Sequence, residues 1–241
     1  MRRARGLLSA AVVLTALLAP GTASAEPSPG TAPPGTATTP AASASATATA
    51  ASASASADDD PAAQGLKRTP LDLTGGAGGV QANALAPTTI PGASICRRYY
   101  IFSYRAGRYV SEEQGYTGSI HNMLRARSSA GALGTWEHFN VCAYNGRSDL
   151  IYLQASSGYL VSAEYGYSGN SKGMLRGRGE WPGDWEVFEV WSDAGRYFLR
   201  NQATKGWVSV RVDMTGSYTN MLRGNGASAG PWEQLAFTSV A

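Results

Sequence analysis

The sequence predicts an all-β domain of three repeats over residues 95–241, and two observations predict it. The first is an apolar skeleton that returns at fixed spacing, the mark of a repeat architecture. Met123-Leu124-Arg125, Met174-Leu175-Arg176 and Met221-Leu222-Arg223 recur, each ahead of a Trp-Glu pair: Trp136-Glu137, Trp185-Glu186 and Trp232-Glu233. Val110-Ser111, Val161-Ser162 and Val208-Ser209 open the copies at intervals of 51 and 47 residues, the intervals that also separate the Met-Leu-Arg strings. The second observation is that each copy holds short strand-like runs broken by turn chemistry, with no long segment of helical period.

Copy one supplies runs at 99–102, 109–111, 123–125 and 136–141. Copy two supplies 151–153, 160–162, 174–176 and 185–190, and copy three supplies 197–199, 207–209, 221–223 and 232–237. Four strands in each of three copies, at this length, fit a β-trefoil: six strands close a barrel and six form hairpins that cap one end. Closure removes the sheet edges that a soluble all-β domain must otherwise protect.

The repeated residues then receive roles. Trp136, Trp185 and Trp232 are expected to pack with Leu124, Leu175 and Leu222 near the pseudo-threefold axis, since a large aromatic dominates its surroundings when buried. Arg125, Arg176 and Arg223 recur with Glu137, Glu186 and Glu233, which gives either ion pairs across the hairpin or a solvated rim. Gly118, Gly169 and Gly216 are expected at positive-φ turn positions.

The chain ahead of the repeats reads differently. Arg2, Arg3 and Arg5, the apolar run 7–18 and Ala23-Ser24-Ala25 form the pattern of a secretory signal peptide over 1–25. The apolar run is too short for a membrane span. Residues 26–94 are rich in Ala, Ser, Thr, Pro and Gly, a composition that predicts a disordered linker, since such a chain buries too little to offset its ordering entropy. The Lys67-Arg68 pair in it reads as exposed basic punctuation or as a processing site.

Charge excludes one class of partner. The whole chain has 20 Lys+Arg against 17 Asp+Glu, and loss of the three leader arginines makes the two signs equal. Neither nucleic acid nor an anionic membrane is therefore indicated as a partner. Two cysteines, Cys96 and Cys142, flank copy one. In an exported chain an even pair predicts a disulfide, here between the first and fourth strands of the copy.

The string 107–116, Gly-Arg-Tyr-Val-Ser-Glu-Glu-Gln-Gly-Tyr, with its Trp136-Glu137-His138-Phe139 ending, resembles the repeat of fascin-like β-trefoil domains. Copy two matches more closely through Tyr159-Leu160-Val161-Ser162-Ala163-Glu164 and Trp185-Glu186. Copy three departs, with Arg211 in place of the glutamate and Asp213-Met214 in place of Gly-Tyr. The resemblance covers 95–241 and implies the trefoil fold; the Gln-x-Trp signature of ricin-type lectins is missing. Fascin proper resembles four linked trefoils and crosslinks actin, so with one trefoil and a secretion signal that activity does not carry over.

No catalytic motif emerges, and no cofactor or metal ligand set. His121 and His138 are in no motif, Glu112 and Glu113 are adjacent and so face opposite sides of a strand, and no nucleophile elbow or phosphate loop occurs. A secreted, monomeric, non-catalytic binding module is the reading that follows, with a polysaccharide or surface glycan as partner. Candidate ligand contacts are Trp181, in the Glu180-Trp181-Pro182-Gly183 turn without counterpart in the other copies, and Tyr116, Tyr167 and Tyr218. Exposed amphipathic aromatics of this kind can stack on sugar rings. The alternatives are a trefoil-type protease inhibitor and a structural cell-envelope protein without a small ligand.

Overall fold

The computed structural model describes residues 60–74 and 95–240. The chain divides into two units, 1–51, which lies outside the described residues, and 52–241. The expected signal peptide, 1–25, and most of the expected linker therefore fall outside the described residues.

The domain is a β-trefoil. After a short β1 (Lys67–Arg68), copy one contributes β2 (Cys96–Ser103), β3 (Arg108–Glu113), β4 (Met123–Ser128) and β5 (Phe139–Tyr144). Copy two contributes β6 (Arg147–Gln154), β7 (Leu160–Glu164), β8 (Met174–Gly179) and β9 (Val187–Asp193). Copy three contributes β10 (Arg196–Asn201), β11 (Trp207–Arg211), β12 (Met221–Gly226) and β13 (Leu235–Ser239). First and fourth strands pair antiparallel in a closed ring, β2–β5–β6–β9–β10–β13 and back to β2. The hairpins β3–β4, β7–β8 and β11–β12 cap it, and their second strands meet around the axis through Met123↔Arg176, Met174↔Arg223 and Met221↔Arg125.

Strand alternation explains the repeated Met-Leu step, because neighbouring residues point to opposite faces. Leu124, Leu175 and Leu222 enter the main barrel core, while Met123, Met174 and Met221 form their own buried cluster at the axis. The turns ahead of these strands use Gly118, Gly169 and Gly216 at φ of 64°, 57° and 62°, as their spacing predicts.

The three tryptophans do not join the core. Trp136 and Trp185 are 44% and 45% exposed, and it is the residue three positions on, Phe139, Phe188 and Leu235, that is fully buried. The cause is the glutamate in between. Glu137 accepts the Gly134 amide at 2.7 Å and the Ser128 hydroxyl at 2.7 Å; Glu186 accepts the Gly183 amide at 3.1 Å and the Ser162 hydroxyl at 2.5 Å. Each Gly-x-Trp-Glu string is thus a capped turn whose carboxylate folds inward, which leaves the indole outside.

The arginines pair elsewhere too. Arg125 and Arg127 meet Glu113 at 3.8 and 2.9 Å, and Arg176 and Arg178 both meet Glu164 at 3.2 Å. Those glutamates come from β3 and β7, directly across the hairpin, whereas Glu137 and Glu186 are already used by their turns.

Cys96 and Cys142 are register partners on β2 and β5 and form a disulfide, with Cα atoms 4.0 Å apart. Residues 60–74 differ from the linker expectation: they are folded against the domain. Leu66 packs on Phe198 and Trp207, while Leu71 and Leu73 enter the main core. β1 pairs with β9 through Arg68↔Trp191, and Arg68 reaches Asp149 and Glu189, each at 3.2 Å. Three leucines on the barrel are enough to anchor a segment whose surroundings are polar.

Candidate functional site

Tyr116, Tyr167 and Tyr218 all lie half-buried in the loops of the capping hairpins. Tyr116 and Tyr218 pack directly against the methionine cluster. The Tyr116 hydroxyl accepts Arg125 Nη1 at 2.5 Å, the Tyr167 hydroxyl accepts Arg176 Nη2 at 3.3 Å, and the Tyr218 hydroxyl meets the Ser171 hydroxyl at 3.2 Å. Tyr218 is not the repeat counterpart of the other two. The 47-residue interval places Met214 there, and Tyr218 corresponds to Ile120 and Ser171.

The axis is closed by the same arginines. Arg125 Nε donates to the Thr219 carbonyl at 2.8 Å, Arg176 Nη1 to Ser119 at 2.8 Å, and Arg223 Nε to Lys172 at 2.7 Å. Each therefore ties its own copy to the turn of the preceding one. This is a packed junction with its polar groups engaged.

Open concave surface is found beside the Gly-x-Trp-Glu turns. In copy two a shallow pocket of about 520 Å³ is bounded by Trp185, Tyr165, Glu164, Arg178 and Glu180. The Trp185 and Tyr165 rings lie 5.4 Å apart, tilted by 46°. Tyr165 is held in place because its hydroxyl donates to the Gly224 carbonyl and accepts the Thr204 hydroxyl at 2.5 Å. Trp181 stands in the turn that follows Glu180 and is 57% exposed. Copy one has the counterpart, a pocket of about 320 Å³ bounded by Trp136, Arg127, Ser128 and Thr135.

Copy three is built differently. The guanidinium carbons of Arg105 and Arg211 lie 5.4 and 5.7 Å from the Trp232 ring centre. Arg211 is itself fixed by Asp213, with Nε and Nη2 donating at 2.9 and 2.6 Å. Glu233, the capping carboxylate of this copy, is pushed up to about 7, chiefly by burial and against the pull of the Gly230 amide.

An indole beside a guanidinium–carboxylate pair offers an apolar face and directional hydrogen bonds at once, which suits a ligand bearing hydroxyls on an apolar ring. Sequence reasoning placed Trp136 and Trp185 in the core and so missed them. The available signal was the glycine three residues before each glutamate, at 134, 183 and 230, which marks a self-capped turn. Among the described residues, no group of three or more His, Cys, Asp or Glu could hold a metal, and no helix is long and apolar enough to cross a membrane.

No family model matches the chain, and no curated protein matches it. Among solved structures it is similar to ThreeFoil, a designed threefold-symmetric protein, at 16% identity and TM-score 0.48, over 59% of this chain and 99% of that one. It is also similar to the Rhizoctonia solani agglutinin (13% identity, TM-score 0.45, 64% of this chain and 100% of that chain). A third likeness is to the Polyporus squamosus lectin bound to a sialylated epitope, at 12% identity and TM-score 0.46. It covers 63% of this chain and 50% of the lectin, so the chain spans about half the lectin's length. At these identities the likeness is one of fold.

Proposed function

We propose that this protein is a secreted, non-catalytic binding module for carbohydrate, acting as a monomer on a polysaccharide or surface glycan. The observation that carries the reading is the Trp185 pocket. A half-exposed indole, which the fold could have buried, is held outward by its neighbouring glutamate beside the Arg178–Glu164 pair. Trp181, exposed in the turn after Glu180, is the further contact assigned to the same ligand in this reading. The leader pattern over 1–25 and the Cys96–Cys142 disulfide support export. The resemblance of the repeats to fascin-like trefoils is part of the same reading and concerns ancestry of the fold, not actin.

The test is retention of the mature protein on insoluble cellulose, xylan, chitin and β-1,3-glucan, with inhibition assays on serine and cysteine proteases run in parallel. Retention on one glycan, weakened by Trp181→Ala and by Trp185→Ala without loss of folding, is the expected result. Protease inhibition with no glycan retention would replace this reading by that of a trefoil inhibitor.

A further inference from the structure

On the basis of that carbohydrate reading, we infer that the domain is bivalent: copies one and two each hold an open site, and Arg211 closes the third. The register makes the comparison strict. Glu113, Glu164 and Arg211 occupy the same place in their copies, as do Arg127, Arg178 and Asn225. In the first two copies these positions form an ion pair, Glu113–Arg127 at 2.9 Å and Glu164–Arg178 at 3.2 Å. The acid is held by a neighbouring strand, and the indole beyond it remains open.

In copy three the charge at the first position is reversed and the cation at the second is gone. The Arg211 side chain instead turns to Asp213 and to the face of Trp232. Arg105, from the turn after β2, reaches the same ring. A cation on an indole face occupies the surface on which a sugar would stack. Among the described residues Arg223 makes no ion pair of the kind Arg125 and Arg176 make across their hairpins, and burial, followed by the nearby Arg211 charge, lowers its pKa. Copy three is thus altered at the residues that make the site and unaltered in the fold around them.

Two sites on one rigid body engage a polymer together, so loss of either lowers polymer affinity on the order of 100-fold while a short oligosaccharide reports each site alone. The experiment is calorimetric titration of the mature protein with cellohexaose, xylohexaose, laminarihexaose and chitohexaose. Two sites per chain are expected for the hexasaccharide that binds. One site is expected in Trp136→Ala or in Trp185→Ala, two in Trp232→Ala, and three in the triple variant Arg105→Ala, Arg211→Glu, Asn225→Arg. A wild-type stoichiometry of one or three, or a site lost in Trp232→Ala, overturns bivalency and leaves the carbohydrate reading standing. Absence of binding to all four sugars, with no retention on the corresponding polymers, sinks both. Should Trp232→Ala fail to fold, iodide quenching of the double variant Arg105→Ala, Arg211→Glu decides: one further accessible indole is expected, and unchanged quenching contradicts the closure of copy three.

Discussion

The Glu186 carboxylate accepts the Gly183 amide at 3.1 Å, and this one bond fixes which side of the turn Trp185 occupies. The turn is a capping box in a strand–strand connection, and the same pair recurs as Glu137 with Gly134 at 2.7 Å. Replacing Glu186 by Ala removes the cap and leaves the Ser162 hydroxyl unpaired. A loss of about 1–2 kcal/mol in urea unfolding is expected. The indole emission of Trp185 should broaden with it, because the turn no longer holds the ring in one place.

The orientation of the tryptophans makes a paired prediction. Phe188→Ala should cost about 3–5 kcal/mol, as truncation of a buried aromatic does, since Phe188 is fully buried. Trp185→Ala, three residues earlier and half-exposed, should cost well under half as much. Equal losses of melting temperature would return Trp185 to the core.

Residues 60–74 should behave as part of the domain. Limited proteolysis is expected to leave Lys67-Arg68 uncut, because β1 is paired to β9 and Arg68 is held by two carboxylates. Leu71→Ala should destabilise by about 2–5 kcal/mol. Trypsin cleavage after Arg68 in the native protein, without loss of stability, would show that the segment is only loosely attached.

Much of this fold was legible because its information is local and periodic. The Met-Leu step gives two opposite faces, the 51- and 47-residue intervals give the copies, and the cysteines fall on adjacent strands. The site was less legible. Trp136 and Trp185 read as core from size alone, and only the backbone of the turn reveals that Glu137 and Glu186 take the inward place. Leu66, Leu71 and Leu73 were diluted in a polar stretch of 69 residues, where average composition hides three well-spaced apolar contacts. Tyr218 shares the loop of copy three without sharing the register of Tyr116 and Tyr167, whose place Met214 takes.

Glu233 supplies a pH dependence. Its pKa near 7 lies above the ordinary 4.5, so between these values the folded chain keeps a proton that the unfolded chain releases. Stability from this group is fully present below about pH 4.5 and falls as pH rises towards 7, by about 3 kcal/mol in all. His138 acts in the opposite sense, since burial lowers its pKa and its protonation disfavours the fold as pH falls. Subtracting the urea stability of Glu233→Gln from that of the wild type at each pH isolates the glutamate. A difference that does not change between pH 5 and 8 would contradict the burial argument.

The disulfide closes a loop with a sequence separation of 46. Loop-closure entropy at that length corresponds to about 4 kcal/mol. Cys96→Ala with Cys142→Ala should lower the urea midpoint accordingly, and thiol titration of the native protein should find no free sulfhydryl.

The central claim is that the outward tryptophans of copies one and two bind a glycan. Its most direct measurement is retention of the double variant Trp136→Ala, Trp185→Ala on the polysaccharide that holds the wild-type protein, with the fold verified by circular dichroism. The folded variant is predicted to pass through unretained. Retention equal to the wild type, on an intact fold, would contradict the claim.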